Sequence, residues 1–141
     1  MRRDRGCLFV LVREKGMFSH VMIGSNDIAR SKKFYDALFG ALGGKPAAED
    51  AKGRLIYAHN GGLLMVSKPI DGKPATSANG GTIGFTAASQ EQANAWHKAG
   101  VANGGTSIED PPGVRPSGTY LAYLRDPDGN KLCALCRAPA A

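Results

Sequence analysis

The segment that most constrains the fold is Tyr120–Cys136, in which two apolar runs flank the turn Asp126-Pro-Asp-Gly-Asn130. Pro127 presets φ for the first turn position, Gly129 accepts positive φ, and Asp and Asn side chains bond back to local backbone. The flanking runs are apolar enough to line a sheet that is buried on both faces. The segment therefore predicts two short strands whose side chains are held rigidly next to the turn.

The first half of the chain predicts one helix between strands. Residues 18–24 are rich in bulky apolar side chains and predict a buried strand. Asp27 is suited to cap a helix, since apolar residues at helical spacing follow it. Strands are predicted at 54–59 and 62–67, because Asn60-Gly61 between them is a strong hairpin signal.

The second half repeats this order after a stretch rich in proline and glycine, residues 68–80. A strand is predicted at 81–86, and a helix begins after Ser89 and ends at Gly100. A short strand at 104–108 and a loop lead to the C-terminal hairpin. The order β-α-β-β-β thus occurs twice, which indicates an internal duplication. Because half a chain of this length buries too little core alone, the two sheets are expected to pair around a cleft.

Length and charge limit the possible functions. A chain of 141 residues suits one domain, and 43% apolar residues are normal for a globular protein. No apolar run approaches the roughly 20 residues that cross a bilayer, so no membrane partner is predicted. The net charge of +6 is mild and unevenly placed, with residues 1–16 carrying half of it, and the basic residues of the remainder are scattered, which argues against nucleic-acid binding.

The cysteines and the N-terminus bear on location. Three cysteines, an odd number without a secretion signal, indicate a reducing compartment and predict a cytoplasmic protein. Residues 1–16 resemble a signal peptide only superficially, because their apolar run is short and no cleavage site follows it. They are interpreted as an extension without a function.

Three motifs together resemble the vicinal oxygen chelate superfamily, the group of glyoxalases, bleomycin resistance proteins and extradiol dioxygenases. They are Phe18–Gly24, Ser31–Gly40 with its Phe-Tyr pair, and Leu124–Leu132 with its Asp-Pro-Asp-Gly-Asn turn. The resemblance covers residues 17–137 and implies an α+β fold, with two βαβββ modules at about 17–70 and 80–137 whose curved sheets form a cup. It also implies a homodimer.

The resemblance further implies where a metal would bind. In enzymes of this group a divalent metal at the bottom of the cup chelates two substrate oxygens and stabilises the oxyanion that forms. The corresponding positions here are His20, Met65, Thr82 and Cys133. Only His20 and Cys133 are competent ligands, whereas such a site needs three or four. The ligand set is therefore incomplete and no cofactor is predicted. A Zn, Ni, Mn or Fe ion held in part by His20 is the alternative.

The predicted ligand pocket lies in the cup. Thr82, Gly84 and Thr86 put small side chains on one strand face, which leaves volume for a ligand. Arg115, in a proline-rich loop, is expected to reach over the mouth and hold an anionic group. The complete predicted set is His20, Met22, Met65, Thr82, Gly84, Tyr123, Cys133 and Arg115.

Other reactive side chains have simpler interpretations. Cys133 and Cys136 match C-x-x-C, but on a strand they point to opposite faces and cannot share a bond or a metal. A nucleophile pair of Cys133 with His20 would need a lowered thiol pKa. His59 and His97 are expected to be solvated.

Three functions remain open from the sequence. The first is a protein that binds a small molecule in the cup without a complete metal site. The second is a metal-dependent lyase, isomerase or dioxygenase of glyoxalase type, similar to lactoylglutathione lyase. The third is an interaction module whose sheets support a dimer.

Overall fold

Nine strands and two helices occupy the part of the chain that the computed structural model describes, residues 16–137. The predicted extension 1–16 lies outside the described residues except for Gly16. The helices are α1 (Ile28–Ala41) and α2 (Gln90–Ala102). The strands are β1 (Val21–Gly24), β2 (Ala48–Glu49), β3 (Leu55–His59), β4 (Gly62–Ser67), β5 (Ile83–Thr86), β6 (Thr106–Ser107), β7 (Gly113–Val114), β8 (Thr119–Arg125) and β9 (Lys131–Arg137). Neither of these helices is long and apolar enough to cross a membrane.

Two sheets follow the predicted repeat. The first has the order β1-β4-β3-β2, and the second has the order β5-β9-β8-β6 with β7 paired to β8. In each sheet the strand before the helix pairs in parallel with the last strand of the same half, β1 with β4 and β5 with β9. The α+β fold with two βαβββ modules is confirmed. The short strand β2 was not located from the sequence, and β7 lies in the segment interpreted as a loop.

Local signals explain most element boundaries. Asn60 and Gly61 have φ of 47° and 79°, as a two-residue hairpin turn with positive φ requires. The Asp27 carboxylate accepts from the Arg30 N–H at 3.0 Å and caps α1. The Ser89 hydroxyl accepts from the Gln92 N–H at 3.0 Å and caps α2. The first strand begins at Val21 instead of residue 18.

The core lies between the helices and one face of each sheet. α1 packs on β3 and β4, α2 packs on β8 and β9, and the helices pack on each other. Phe34, Tyr35, Leu38 and Trp96 are fully buried there. Strand alternation sends every second side chain into this core. The opposite side of each sheet, facing away from the helices, is called the outer face below.

The predicted helix end at Gly100 is wrong, because α2 continues to Ala102. Gly100 has a packing role instead. A Cβ atom at this position would lie 2.5 Å from Leu124 Cδ2 and 3.1 Å from Leu38 Cδ1. Glycine thus allows α2 to approach both α1 and β8 closely.

This contact predicts opposite effects for two helical glycines. Gly100→Ala is expected to lower the free energy of unfolding by about 1–3 kcal/mol, since the added methyl group overpacks the core. Gly40→Ala in α1, where a Cβ has open space, should raise it by about 0.5–1 kcal/mol. Urea denaturation of both variants measures the difference. Equal effects would contradict the close packing at Gly100.

The turn between β8 and β9 joins the two modules. Asp126 is buried and accepts hydrogen bonds from the Tyr35 hydroxyl at 2.6 Å and from the Asn130 side-chain amide at 2.8 Å. It also accepts from the backbone N–H groups of Asp128 and Asn130. Tyr35 lies on α1, so this carboxylate connects the second module to the first.

The second carboxylate of the turn makes a separate connection. The Asp128 side chain has no exposed surface and accepts from the Arg30 guanidinium at 2.9 Å. It also accepts from the Asn26 N–H at 2.9 Å and the Ser31 hydroxyl at 3.3 Å. These donors surround the start of α1. Both carboxylates of the turn are therefore used in holding the modules together.

Candidate functional site

A cavity of about 360 Å³ lies between the start of β1, the β3–β4 hairpin and β5. It lies between residues of the first sheet, the end of α1 and β5 of the second sheet. Of the predicted pocket residues, His20 and Gly84 line it. The lining is completed mainly by Met17, Phe18, Val21, Phe39, Leu42, Tyr57, His59, Leu63, Leu64, Ile83, Phe85 and Thr86, together with the glycines and Asn60 near the hairpin turn. We call it the inter-sheet pocket.

Aromatic rings form one wall of the inter-sheet pocket. Phe39 stacks on Tyr57 with ring centroids 4.6 Å apart, and Phe85 meets Phe39 edge-on at 5.6 Å. The Tyr57 hydroxyl donates to Asp36 Oδ1 at 2.8 Å. Burial, and then this bond to Asp36, raise the pKa of Tyr57, so its hydroxyl stays protonated. The wall is therefore apolar and uncharged.

His59 is a polar residue of this pocket that was not predicted from the sequence. It was expected to be solvated. Its Nε2 atom is buried and has no hydrogen-bond partner within residues 16–137. The ring lies edge-on to Phe39, with centroids 6.0 Å apart. Strand alternation is the sequence pattern that indicates this position, because Leu55, Tyr57 and His59 fall on one face of β3. The face that carries two buried side chains also carries this imidazole.

His20 also lines the cavity and is exposed. Its Nδ1 atom is within 2.8 Å of the Ser19 hydroxyl. The two histidines of the pocket thus differ, because one is solvated and the other has a buried, unpaired nitrogen.

Met22 and Met65 lie on the outer face of the first sheet, directly opposite each other on β1 and β4. Met22 is 44% exposed and lines a second cavity at the other end of β1. Met65 does not line the inter-sheet pocket. The structure therefore separates both methionines from the cavity that contains His20.

Gly84, Cys133 and Tyr123 form one row across the outer face of the second sheet. A Cβ on Gly84 would lie 3.4 Å from Cys133 Sγ, so glycine leaves room beside the thiol. Thr82 precedes β5 and is exposed. Arg115 lies near Tyr123, its guanidinium carbon 5.9 Å from the ring centroid. It donates to the carbonyls of Asp110, Pro111 and Gly113, and it lines neither cavity.

The cysteines have a structural environment. Cys133 and Cys136 are buried free thiols on opposite faces of β9, as the strand geometry predicts. Burial raises the pKa of the Cys133 thiol; the Lys131 charge opposes this rise, and Glu109 adds a smaller effect in the same direction as burial. A raised pKa is the reverse of what a nucleophilic thiol needs. Cys133 also lies outside the pocket lining that contains His20.

The implied metal site does not fit the residues present. Its four positions are His20, Met65, Thr82 and Cys133, which combine one imidazole with a thioether, a hydroxyl and a protonated thiol. Between residues 16 and 137 no group of three or more His, Cys, Asp or Glu side chains could hold an ion. A hard divalent metal needs at least three nitrogen, oxygen or thiolate ligands.

Paired βαβββ modules with a pocket between the sheets define a glyoxalase-like class of protein. A sequence model of the Glyoxalase/Bleomycin resistance protein/Dioxygenase superfamily matches residues 17–134. The chain belongs to this superfamily. No curated protein matches the sequence.

Solved structures support the assignment. The chain is 56% identical to a glyoxalase/bleomycin resistance protein from Albidiferax ferrireducens T118, over 86% of this chain and 99% of that one, with a TM-score of 0.83. A lactoylglutathione lyase from Agrobacterium tumefaciens is 18% identical, over 86% and 93% of the chains, with a TM-score of 0.63. A glyoxalase-related enzyme from Fulvimarina pelagi is 21% identical, over 85% and 87%, with a TM-score of 0.70. These two more distant structures show a shared fold alone.

Proposed function

We propose that the chain binds a small molecule with a single apolar ring in the inter-sheet pocket, without a metal ion. The observation that carries the proposal is the buried His59 Nε2 atom, which has no hydrogen-bond partner in the part of the chain that the structure describes. An unpaired buried polar group costs about 1–3 kcal/mol, and a ligand that supplies a hydrogen bond removes this cost. His59 thus provides the polar contact that orients the ligand.

The size and lining of the pocket favour a compact aromatic ligand. Its volume of about 360 Å³ is at the lower end of the range for ligand sites. Phe39, Tyr57 and Phe85 form an aromatic cluster in the lining, on which a ligand ring can pack. His20 and Thr86 at the rim provide further polar contacts. A ring with one hydroxyl or amide group therefore satisfies both parts of the pocket.

A metal-dependent lyase, isomerase or dioxygenase of glyoxalase type is the second candidate, favoured by superfamily membership. Its ligands would have to include His20 and residues outside the inferred set. Elemental analysis of the purified protein distinguishes the two candidates. The first predicts no stoichiometric Zn, Ni, Mn or Fe, whereas one tightly held ion per chain that is lost in His20→Ala would establish the second.

A homodimer in the cytoplasm is part of the proposal. The resemblance to the superfamily supports the dimer. If dimer support is the main role, as in the third hypothesis, the dimer should persist while the inter-sheet pocket binds no ligand. The odd number of cysteines without a secretion signal supports a reducing compartment.

Replacing His59 by leucine tests the pocket. His59→Leu is expected to leave the free energy of unfolding unchanged or raise it by about 1 kcal/mol, because it removes an unpaired buried nitrogen. Phenol should bind the native protein about tenfold more tightly than toluene, and this preference should disappear in the variant. Ligand-observed NMR titrations give the affinities, and urea denaturation gives the stability.

The matched control is His97→Leu. His97 is half-buried on α2, lies outside the pocket and contacts the Ser107 hydroxyl through Nε2 at 2.9 Å. This variant should retain the preference for phenol. If His59→Leu loses several kcal/mol of stability, or keeps the preference for phenol, the proposed role of His59 is wrong.

A further inference from the structure

A second cavity, of about 1160 Å³, lies at the C-terminal end of β1. We call it the basic groove. Its floor includes Met22, Ile23 and Ile28, and one wall is formed by residues 67–76, most of them in the stretch between the modules. Lys52, Arg54, Lys68 and Lys73 also line it, with Asp71 the one acidic lining residue. The groove is separate from the inter-sheet pocket, since β1 contributes different residues to each.

The wall of the groove is held in a defined conformation. The Asn26 side-chain amide donates to the Ala75 carbonyl at 3.2 Å and accepts from the Ala75 N–H at 2.7 Å. A Cβ on Gly24 would lie 2.8 Å from the Ala75 Cβ, so the wall packs directly on the end of β1. Asp71 accepts from the Lys73 N–H at 3.0 Å and stabilises the turn between them. The lysines of the wall therefore start from fixed backbone positions.

The charge of the groove is positive. Arg54 is paired with Asp50, with Nε and Oδ2 2.6 Å apart. No carboxylate among residues 16–137 lies within ion-pair distance of Lys52, Lys68 or Lys73. Three unpaired ammonium groups thus share the groove with a single carboxylate, and their potentials add in a concave surface.

Apolar side chains are exposed beside these charges. Ile70 is fully exposed and Met22 is 44% exposed. Both would be covered by an apolar body placed in the groove, with a gain of roughly 25 cal/mol for each Å² removed from water. The groove therefore combines an apolar surface with a cationic rim.

We infer that the basic groove binds an amphipathic anion, a small molecule with a carboxylate or phosphate group on an apolar body. The anionic group contacts Lys68 and Lys73, and the apolar body lies against Met22 and Ile70. This site is independent of the proposed inter-sheet ligand, which is neutral and contacts His59.

Octanoate, octyl phosphate and octanol are the probes, each titrated into the full-length protein in low salt. Calorimetry should show saturable binding of at least one anion, at least tenfold tighter than octanol and weakened by added salt. Methyl NMR should show shifts at Met22 and Ile70. The two anions distinguish a carboxylate site from a phosphate site.

The decisive variant is Lys68→Gln/Lys73→Gln, with Lys33→Gln/Lys98→Gln on the exposed helix surfaces as its control. The first should weaken binding of the anion at least tenfold and leave octanol unchanged, while the control stays within twofold of the native protein. His59→Leu should not alter anion binding. The basic groove and the inter-sheet pocket are therefore tested independently of each other. Equal affinity for octanol and the anions, an unaffected Lys68→Gln/Lys73→Gln variant, or no saturable binding would overturn it.

Discussion

Asp126→Ala is expected to lower the free energy of unfolding by about 3–5 kcal/mol, the range for breaking a buried hydrogen-bonded charge network. The variant leaves the Tyr35 hydroxyl and the Asn130 amide without their acceptor in the core. It also removes the acceptor for two backbone N–H groups of the turn. Because Tyr35 lies on α1, the loss affects the contact between the modules as well as the hairpin. Urea denaturation followed by circular dichroism measures it.

Two variants separate the parts of this effect. Tyr35→Phe removes one hydrogen bond and should lower the free energy of unfolding by about 1–2 kcal/mol. Asp50→Ala is the matched control, since Asp50 also accepts from two backbone N–H groups, of Lys52 and Arg54, and from a side chain. Because Asp50 does not connect the modules, Asp50→Ala should lower the free energy of unfolding by clearly less than Asp126→Ala. Comparable losses at Asp126 and Asp50 would show that burial between the modules adds nothing.

The second large effect is a loss of stability in alkali. Burial, followed by the neighbouring Asp126 carboxylate, raises the pKa of Tyr35 well above its ordinary value. Burial and the bond to Asp36 raise the pKa of Tyr57 in the same way. Above about pH 10 the unfolded chain loses these protons while the folded chain keeps them. The stabilisation is therefore complete below pH 10 and is lost as the pH rises beyond it.

Each tyrosine contributes a slope of up to about 1.4 kcal/mol per pH unit in this range. Urea denaturation at pH 9, 10 and 11 should show a steep decline for the native protein. Tyr35→Phe/Tyr57→Phe should be less stable at pH 9, because two hydrogen bonds are lost, and should decline less steeply. If the native protein and the double variant decline with equal slopes, the buried tyrosines are not responsible.

The turn Asp126-Pro-Asp-Gly-Asn130 is one of the motifs that indicated the superfamily. In the structure it connects the second module to the first. Asp126 bonds to Tyr35, and Asp128 bonds to the N-terminal end of α1. The Phe-Tyr pair of the first helix motif and the Asp residues of the turn thus form one contact. Two of the three motifs behind the resemblance therefore consist of residues that hold the modules together.

The site residues remain a prediction, and the structure shows only where they lie. His20 and Gly84 line the inter-sheet pocket, whereas Met65, Tyr123 and Cys133 lie on the outer faces within this chain. Strand alternation indicates which side chains share a face of one sheet, but it does not encode the relative placement of two sheets.

The sequence by itself determined the repeated order of elements, the helix caps and the hairpin turns. These depend on residues that are close in the chain, such as Asn60-Gly61 and Asp27. Tertiary structure alone decided that the His59 Nε2 atom is buried without a partner among residues 16–137 and that Gly100 is a contact between helices and sheet. It also decided that residues 68–76 form the wall of a basic groove. Such features depend on which distant segments pack together, and a local pattern does not specify the partners of a side chain.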